Sequence, residues 1–153
     1  MYSFWLFLHI TSISIWAGSS LVIAISFIML KKHLGSIELS KVVKKMTRMI
    51  NFLVHSSALF VLISGVFMMM DMNFGDTVRP FYIAFMERFG GGAILFSLIT
   101  VSLAGRKLVK KLTILEKEGS VIKHLPSINM YIAMNLVSVG FIVATIFVVS
   151  FRF

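Results

Sequence analysis

The sequence predicts an all-α protein, a four-helix transmembrane bundle with both termini outside (periplasmic) and two basic cytoplasmic loops. Three observations predict it. Of 153 residues, 58% are hydrophobic and 14% are charged, whereas a soluble domain carries roughly 25% charged residues. Apolar stretches of membrane-crossing length recur four times along the chain. Twelve of the 15 lysines and arginines fall in two short segments, 31–48 and 106–123. This composition excludes a soluble globular protein and a disordered chain. The absence of cysteine excludes a disulfide-stapled secreted domain. The chain reads as one integral membrane domain, 1–153.

The first span is expected at about 3–30, a run without Lys, Arg, Asp or Glu. It is too long for a signal-peptide core and lacks a basic start, so it reads as a retained helix. The second is expected at about 50–70. The third, at about 85–105, has its start interrupted by Glu87, Arg88 and Gly90-Gly91-Gly92. Those glycines read as small residues permitting close helix contact or a kink. The fourth is expected at about 128–151. Loops 31–49 and 106–127 carry the basic residues and, by the positive-inside rule, face the cytoplasm. Val42, Val43, Met46 and Met49 recur near helical spacing, so the first loop is expected to lie at the interface or to extend the second helix. The third loop begins as a basic helical continuation and is expected to break at Gly119 and Pro126. Loop 71–84 is external, with Asp71, Asp76 and Arg79-Pro80.

The net charge of +9 does not indicate nucleic acid, because no soluble domain presents it. The expected partners are the bilayer and anionic headgroups at the basic loops. Other membrane subunits or a second copy of the chain complete the partner list. The expected location is a prokaryotic inner membrane.

Polar groups within hydrocarbon are costly, so each one is a candidate functional residue. His9 lies about six residues into the first span, hence ~9 Å deep. Ser12, Trp16, Ser19 and Ser20 follow on its face, with Gly18 adjacent. A face of small residues either packs against neighbouring helices or leaves room for a flat cofactor. Histidine ligates haem iron and copper. It also serves as a hydrogen-bonded interhelical residue, and both readings stand for His9. His55 enters the second span from the opposite side. Antiparallel helices put the two histidines ~13 Å apart in depth. Two axial ligands of one iron lie only about 4 Å apart, so a bis-His haem between them is disfavoured. A hydrogen bond between His55 and Asn135 is the expected alternative. His33 and His124, in the basic loops, read as solvated.

Met68-Met69-Met70-Asp71-Met72 closes the second span on the side of His9. Thioethers suit Cu(I), with Met69 and Met72 as candidate ligands, and methionine is equally an ordinary gap-filler. Arg88 or Arg79 could anchor haem propionates. No nucleophilic triad or paired carboxylates appear. The many serines are expected to bond back to their own helix or across to a neighbour.

Leu8-His9-Ile10 followed by Trp16-Ala17-Gly18 resembles the opening LH-x6-W-x-G of the copper-resistance D (CopD) family. It also resembles the related HemJ-type protoporphyrinogen oxidases. Ser64-Gly65 stands where such families often have Thr-Gly or Phe-Gly, Met46-Thr47-Arg48 precedes span two, and Arg106-Lys107 follows span three. The HemJ-type Leu-Pro-Arg is replaced by Ser19-Ser20-Leu21, and Glu87-Arg88 stands near that family's third-span lysine. The resemblance implies a haem b or copper site with His9 as ligand and a redox or copper-transfer role. The residue reading adds Trp16, His55 and Arg88 as candidates beside the cofactor. The competing expectation is a cofactor-free accessory subunit packed against a larger membrane complex.

Overall fold

The computed structural model describes residues 1–33, 37–72, 80–118 and 126–151. Four long helices carry the chain, each long and apolar enough to cross a membrane. Helix α1 spans Tyr2–Leu30 and runs into a short 3-10 turn, Lys31–His33. Helix α2 spans Ile37–Asp71, α3 spans Phe81–Glu118 and α4 spans Pro126–Phe151. At 1.5 Å per residue, even 26-residue α4 measures about 39 Å. Among the described residues there is no strand.

Both prolines stand at helix beginnings. Pro126 opens α4, where a missing N–H costs nothing. The Pro80 carbonyl accepts from the Ile83 and Ala84 N–H groups and starts α3. With no proline inside any helix, no ladder loses a backbone donor within its length. Among the described residues, the irregularity within a long helix is the wide π turn Met86–Gly90 in α3. In plain α-helical register Glu87 would share a stripe with the buried Ile83, Ile94 and Ser97. The wide turn leaves Glu87 and Arg88 exposed instead.

Helix α1 packs on α2 and α4, and α3 packs on the same two, so α1 and α3 sit on a diagonal. The pairing is antiparallel throughout. Trp5 stacks on Phe67 with ring centroids 4.2 Å apart, and Phe27 lies 5.7 Å from Tyr131. Lys44 pairs with Glu116 at 2.6 Å, and Ser138 donates to Ser97 at 2.9 Å. The beginning of α1 and the end of α4 therefore share one end of the bundle.

The core is built on a seven-residue repeat. Along α2, buried Val43, Thr47, Ile50, Val54, Ser57, Val61, Ser64 and Met68 recur in steps of four and three, with Ala58 also buried beside Ser57. This is the 3.5-residue period of helices that wrap one another at about 20°. Ile128, Tyr131, Asn135, Ser138 and Ile142 continue it on α4. The seam is smaller and more polar than the outer surface, where Phe4, Phe7, Phe52, Met70 and Phe151 are exposed. Lipid is as apolar as leucine, so large side chains gain nothing by turning inward and close packing decides the interior.

Helices α2 and α3 both run past their apolar stretches. Helix α2 begins at Ile37, well before residue 50, and α3 runs on to Glu118, beyond residue 105. Val43, Thr47, Leu108, Leu112 and Leu115 are buried there, so the seam continues past the apolar stretch and holds both extensions helical. The expected extension of the second helix and helical continuation of the third are both present. The glycine run does not mediate close helix contact. A Cβ on Gly91 or Gly92 would meet nothing within 4 Å, and one on Gly90 would meet Thr145 at an ordinary 3.8 Å. Asp76, Arg79, Gly119, Lys123, His124 and Arg152 lie outside the described residues, as does the side chain of His33.

Candidate functional site

Helices α1 and α2 together hold His9. Its Nδ1 lies 3.0 Å from the Val61 carbonyl oxygen and 3.0 Å from Ser64 Oγ. The carbonyl can only accept, so Nδ1 carries the proton. Ser64 itself donates back to the Phe60 carbonyl at 2.5 Å, which leaves its oxygen free to accept from His9. Nδ1 as donor leaves Nε2 with its lone pair. Gly65 completes the socket: a Cβ there would stand 3.3 Å from His9 Cε1, closer than side chains ordinarily approach. Ser64-Gly65 and His9, distant in sequence, thus form one half-buried unit.

His55 is held differently. Its Nδ1 donates to the Asn51 carbonyl one turn earlier, and its Nε2 meets Ser102 Oγ on α3. Both ring nitrogens are engaged. The expected partnership with Asn135 is not made, because Asn135 Nδ2 donates to the Tyr131 carbonyl in its own helix at 2.8 Å. The reason is angular. Val54 and Ser57 occupy the α2 seam, so His55 beside them turns toward α3, whereas Asn135 lies on the α4 seam. Tyr131, fully buried, donates its hydroxyl to Asn51 Oδ1 at 2.6 Å. Gly105 leaves room for this bond, since a Cβ there would run into the Asn51 amide and stand 3.2 Å from Tyr131 Cε2. Asn51, His55, Ser102, Gly105 and Tyr131 thereby lock α2, α3 and α4 together.

The remaining candidates do not converge on His9. Trp16 is buried on the inward stripe of α1. Its indole Nε1, Ser20 Oγ and Asn135 Oδ1 are buried without a hydrogen-bond partner among the described residues. Arg88 is exposed on α3, diagonally across the bundle. Met69 and Met72 are half-buried, but they lie four and seven residues beyond Gly65, about 6 and 10 Å farther along the α2 axis. The Trp5–Phe67 stack stands at the level between. Met68 joins the core and Met70 is exposed. Among the described residues, no three of His, Cys, Asp and Glu come close enough to share a metal ion.

The serines behave as their chemistry dictates. Ser14, Ser19, Ser57 and Ser64 donate to carbonyls a turn earlier in their own helices. Ser138 crosses to Ser97. Asn51, Ser102, Tyr131 and Gly105 escaped the sequence reading. The signal for Asn51 was present, since Asn51 and His55 are one turn apart at the start of an apolar span. A scan against known family models, a search of curated proteins and a search of solved structures each return no match.

Proposed function

We propose that this chain is an integral membrane haem-binding protein with a redox role, related to the copper-resistance D/HemJ grouping, with His9 as the axial ligand. The observation that carries the reading is the way His9 is held. A ligating histidine typically donates its other ring N–H to a carbonyl or carboxylate, which fixes the ring and strengthens the ligating nitrogen. Val61 and Ser64 do this for His9, and Gly65 gives the ring its place. A solitary histidine suits haem better than copper, because the porphyrin brings its own nitrogens and a copper site needs several protein donors. A haem bound there would supply one-electron chemistry. The chain would orient His9, exclude water and tune the site through the polarity around it. The basic ends of α2 and α3 would face the cytoplasm of a prokaryotic cell, with both termini outside.

The test is visible spectroscopy of the chain purified in mild detergent, oxidised and dithionite-reduced, with metal analysis. The expected result is a Soret band with sharp reduced bands. His9→Ala should abolish it in a protein that stays helical. His55→Ala should keep it and lower thermal stability. Stoichiometric copper without a Soret band would replace the haem reading with copper transfer. A folded chain that takes up neither, at full cofactor supply, would leave the accessory-subunit reading.

A further inference from the structure

We propose that the interior of the bundle holds ordered water, in a site built by Ser20 on α1 and Asn135 on α4. Both side chains are fully buried. Ser20 Oγ and Asn135 Oδ1 have no hydrogen-bond partner among the described residues. Ser20 departs from the habit of the other helical hydroxyls. Thr47, Ser57, Ser64 and Thr145 each donate to a carbonyl one turn earlier. The carbonyl one turn before Ser20 is that of Trp16, which already accepts the Ser19 hydroxyl at 3.2 Å. Asn135 Nδ2 donates to the Tyr131 carbonyl at 2.8 Å, and Oδ1 of the same amide is left over. Within a membrane-spanning bundle such atoms are costly, because bulk water does not reach them.

Register brings the two residues together. Helices α1 and α4 are antiparallel, and Phe27 meets Tyr131 with ring centroids 5.7 Å apart. One turn inward from that pair, Ile23 and Ala24 come level with Asn135. Ser20 comes level with Ser138, so Ser20 and Asn135 lie within a turn of each other on facing seams. Ser138 donates to Ser97 at 2.9 Å, and its oxygen can still accept. Large buried rings stand at both ends of this stretch, Trp16 at one and Phe27 with Tyr131 at the other. Between them the seam turns to the small side chains of Ser20, Ala24, Asn135 and Ser138, with Ile23 beside them. Chemistry selects the guest. Asn135 Oδ1 only accepts, the Trp16 indole N–H one turn from Ser20 only donates, and the Ser20 hydroxyl does both. The occupant must donate and accept, and it must be small. It must also be neutral, because none of the buried residues carries a charge to balance an ion. Water meets these conditions and makes about three hydrogen bonds in such places. The site stands whether or not His9 carries haem.

The experiment is X-ray hydroxyl-radical labelling of the full chain in lipid nanodiscs prepared in heavy-oxygen water. Mass spectrometry reads the heavy oxygen taken up by each side chain. Radicals born at a bound water mark the side chains beside it, and a dry interior stays unmarked. Ile23 and Leu108 are both fully buried, and Ile23 alone adjoins the site. After correction for intrinsic reactivity, Ile23 should take up label several-fold faster than Leu108. Ser20→Ala combined with Asn135→Leu should bring Ile23 down to the Leu108 rate. Ser20→Ala alone deletes one buried oxygen and should lower the Ile23 rate in part, which keeps the test open if the double variant loses helix content. Equal rates in the parent chain, or a difference that survives these substitutions, overturns the proposal. A parent rate at Ile23 that falls several-fold when sodium chloride replaces choline chloride overturns it in favour of a bound cation.

Discussion

Gly105 and Gly92 lie in the same helix and ask opposite things of an added methyl group. At Gly105 a Cβ would displace the Asn51 amide, which is held in place by the Tyr131 hydroxyl. We predict that Gly105→Ala lowers stability by about 1–3 kcal/mol, the usual range for overpacking a tight interior. At Gly92 the same change meets open space. It should be neutral or stabilise by up to about 1 kcal/mol through helix propensity. Thermal unfolding of the two variants in one detergent checks both signs. His9 was legible in the sequence because a lone imidazole stands out in an apolar run. Its partners were not, because Ser64 and Gly65 look like any small residues of a membrane helix. The sequence reading noted Ser64-Gly65 only as a dipeptide similar to one in the CopD and HemJ families, not as partners of His9. His55 was legible as polar, but its direction was not. That depends on which residues of α2 form the seam, and a sequence without inter-helix register does not give this.

Helices α2 and α3 extend past the apolar slab and carry most of the basic residues on exposed faces. Lys44 and Glu116 join these extensions at 2.6 Å. The hydrogen bond from Lys44 holds the Glu116 carboxyl below its ordinary value of 4.5, aided by the positive charges of Lys41 and Arg48. A depressed carboxyl pKa stabilises the fold above the unfolded value, and that contribution is lost as pH falls through the folded one. We predict that the wild-type chain loses a small increment of stability below about pH 4.5 that Glu116→Gln lacks. High salt should shrink the difference, since the pair is partly exposed. Melting curves across the acid range read this directly. The four apolar spans were legible from hydropathy alone. The helical extensions were legible only in part, through the spacing of Val43 and Met46. The π turn was not legible: Glu87, Arg88 and the glycines marked an interruption, but a wider hydrogen-bond pattern has no residue signature of its own.

The ring of four antiparallel helices brings both ends of the chain to one face, with the basic extensions opposite. The chain has no cysteine, so single-cysteine reporters carry no background. On the proposed orientation, Ser3→Cys should react with an impermeant maleimide on intact cells. Lys110→Cys should react only after permeabilisation. The reverse pattern would invert the bundle without altering its fold. This large-scale arrangement was the most legible part of the molecule, because four apolar runs joined by short connections leave few ways to pack. What hydropathy hid was the seam, since its serines and threonines lower the very signal by which spans are found. The seam also governs how the protein tolerates change. In a water-soluble protein the interior resists polar replacements and the surface accepts them. Here a saturation scan should show a seven-beat rhythm of intolerance along α2. Leucine or phenylalanine at Ser57 or Ser64 should be as damaging as aspartate, while Phe52 and Val66 accept any oily neighbour. Sequence drift in such a protein would polish its lipid-facing coat freely and leave a thin internal ribbon of small residues nearly fixed.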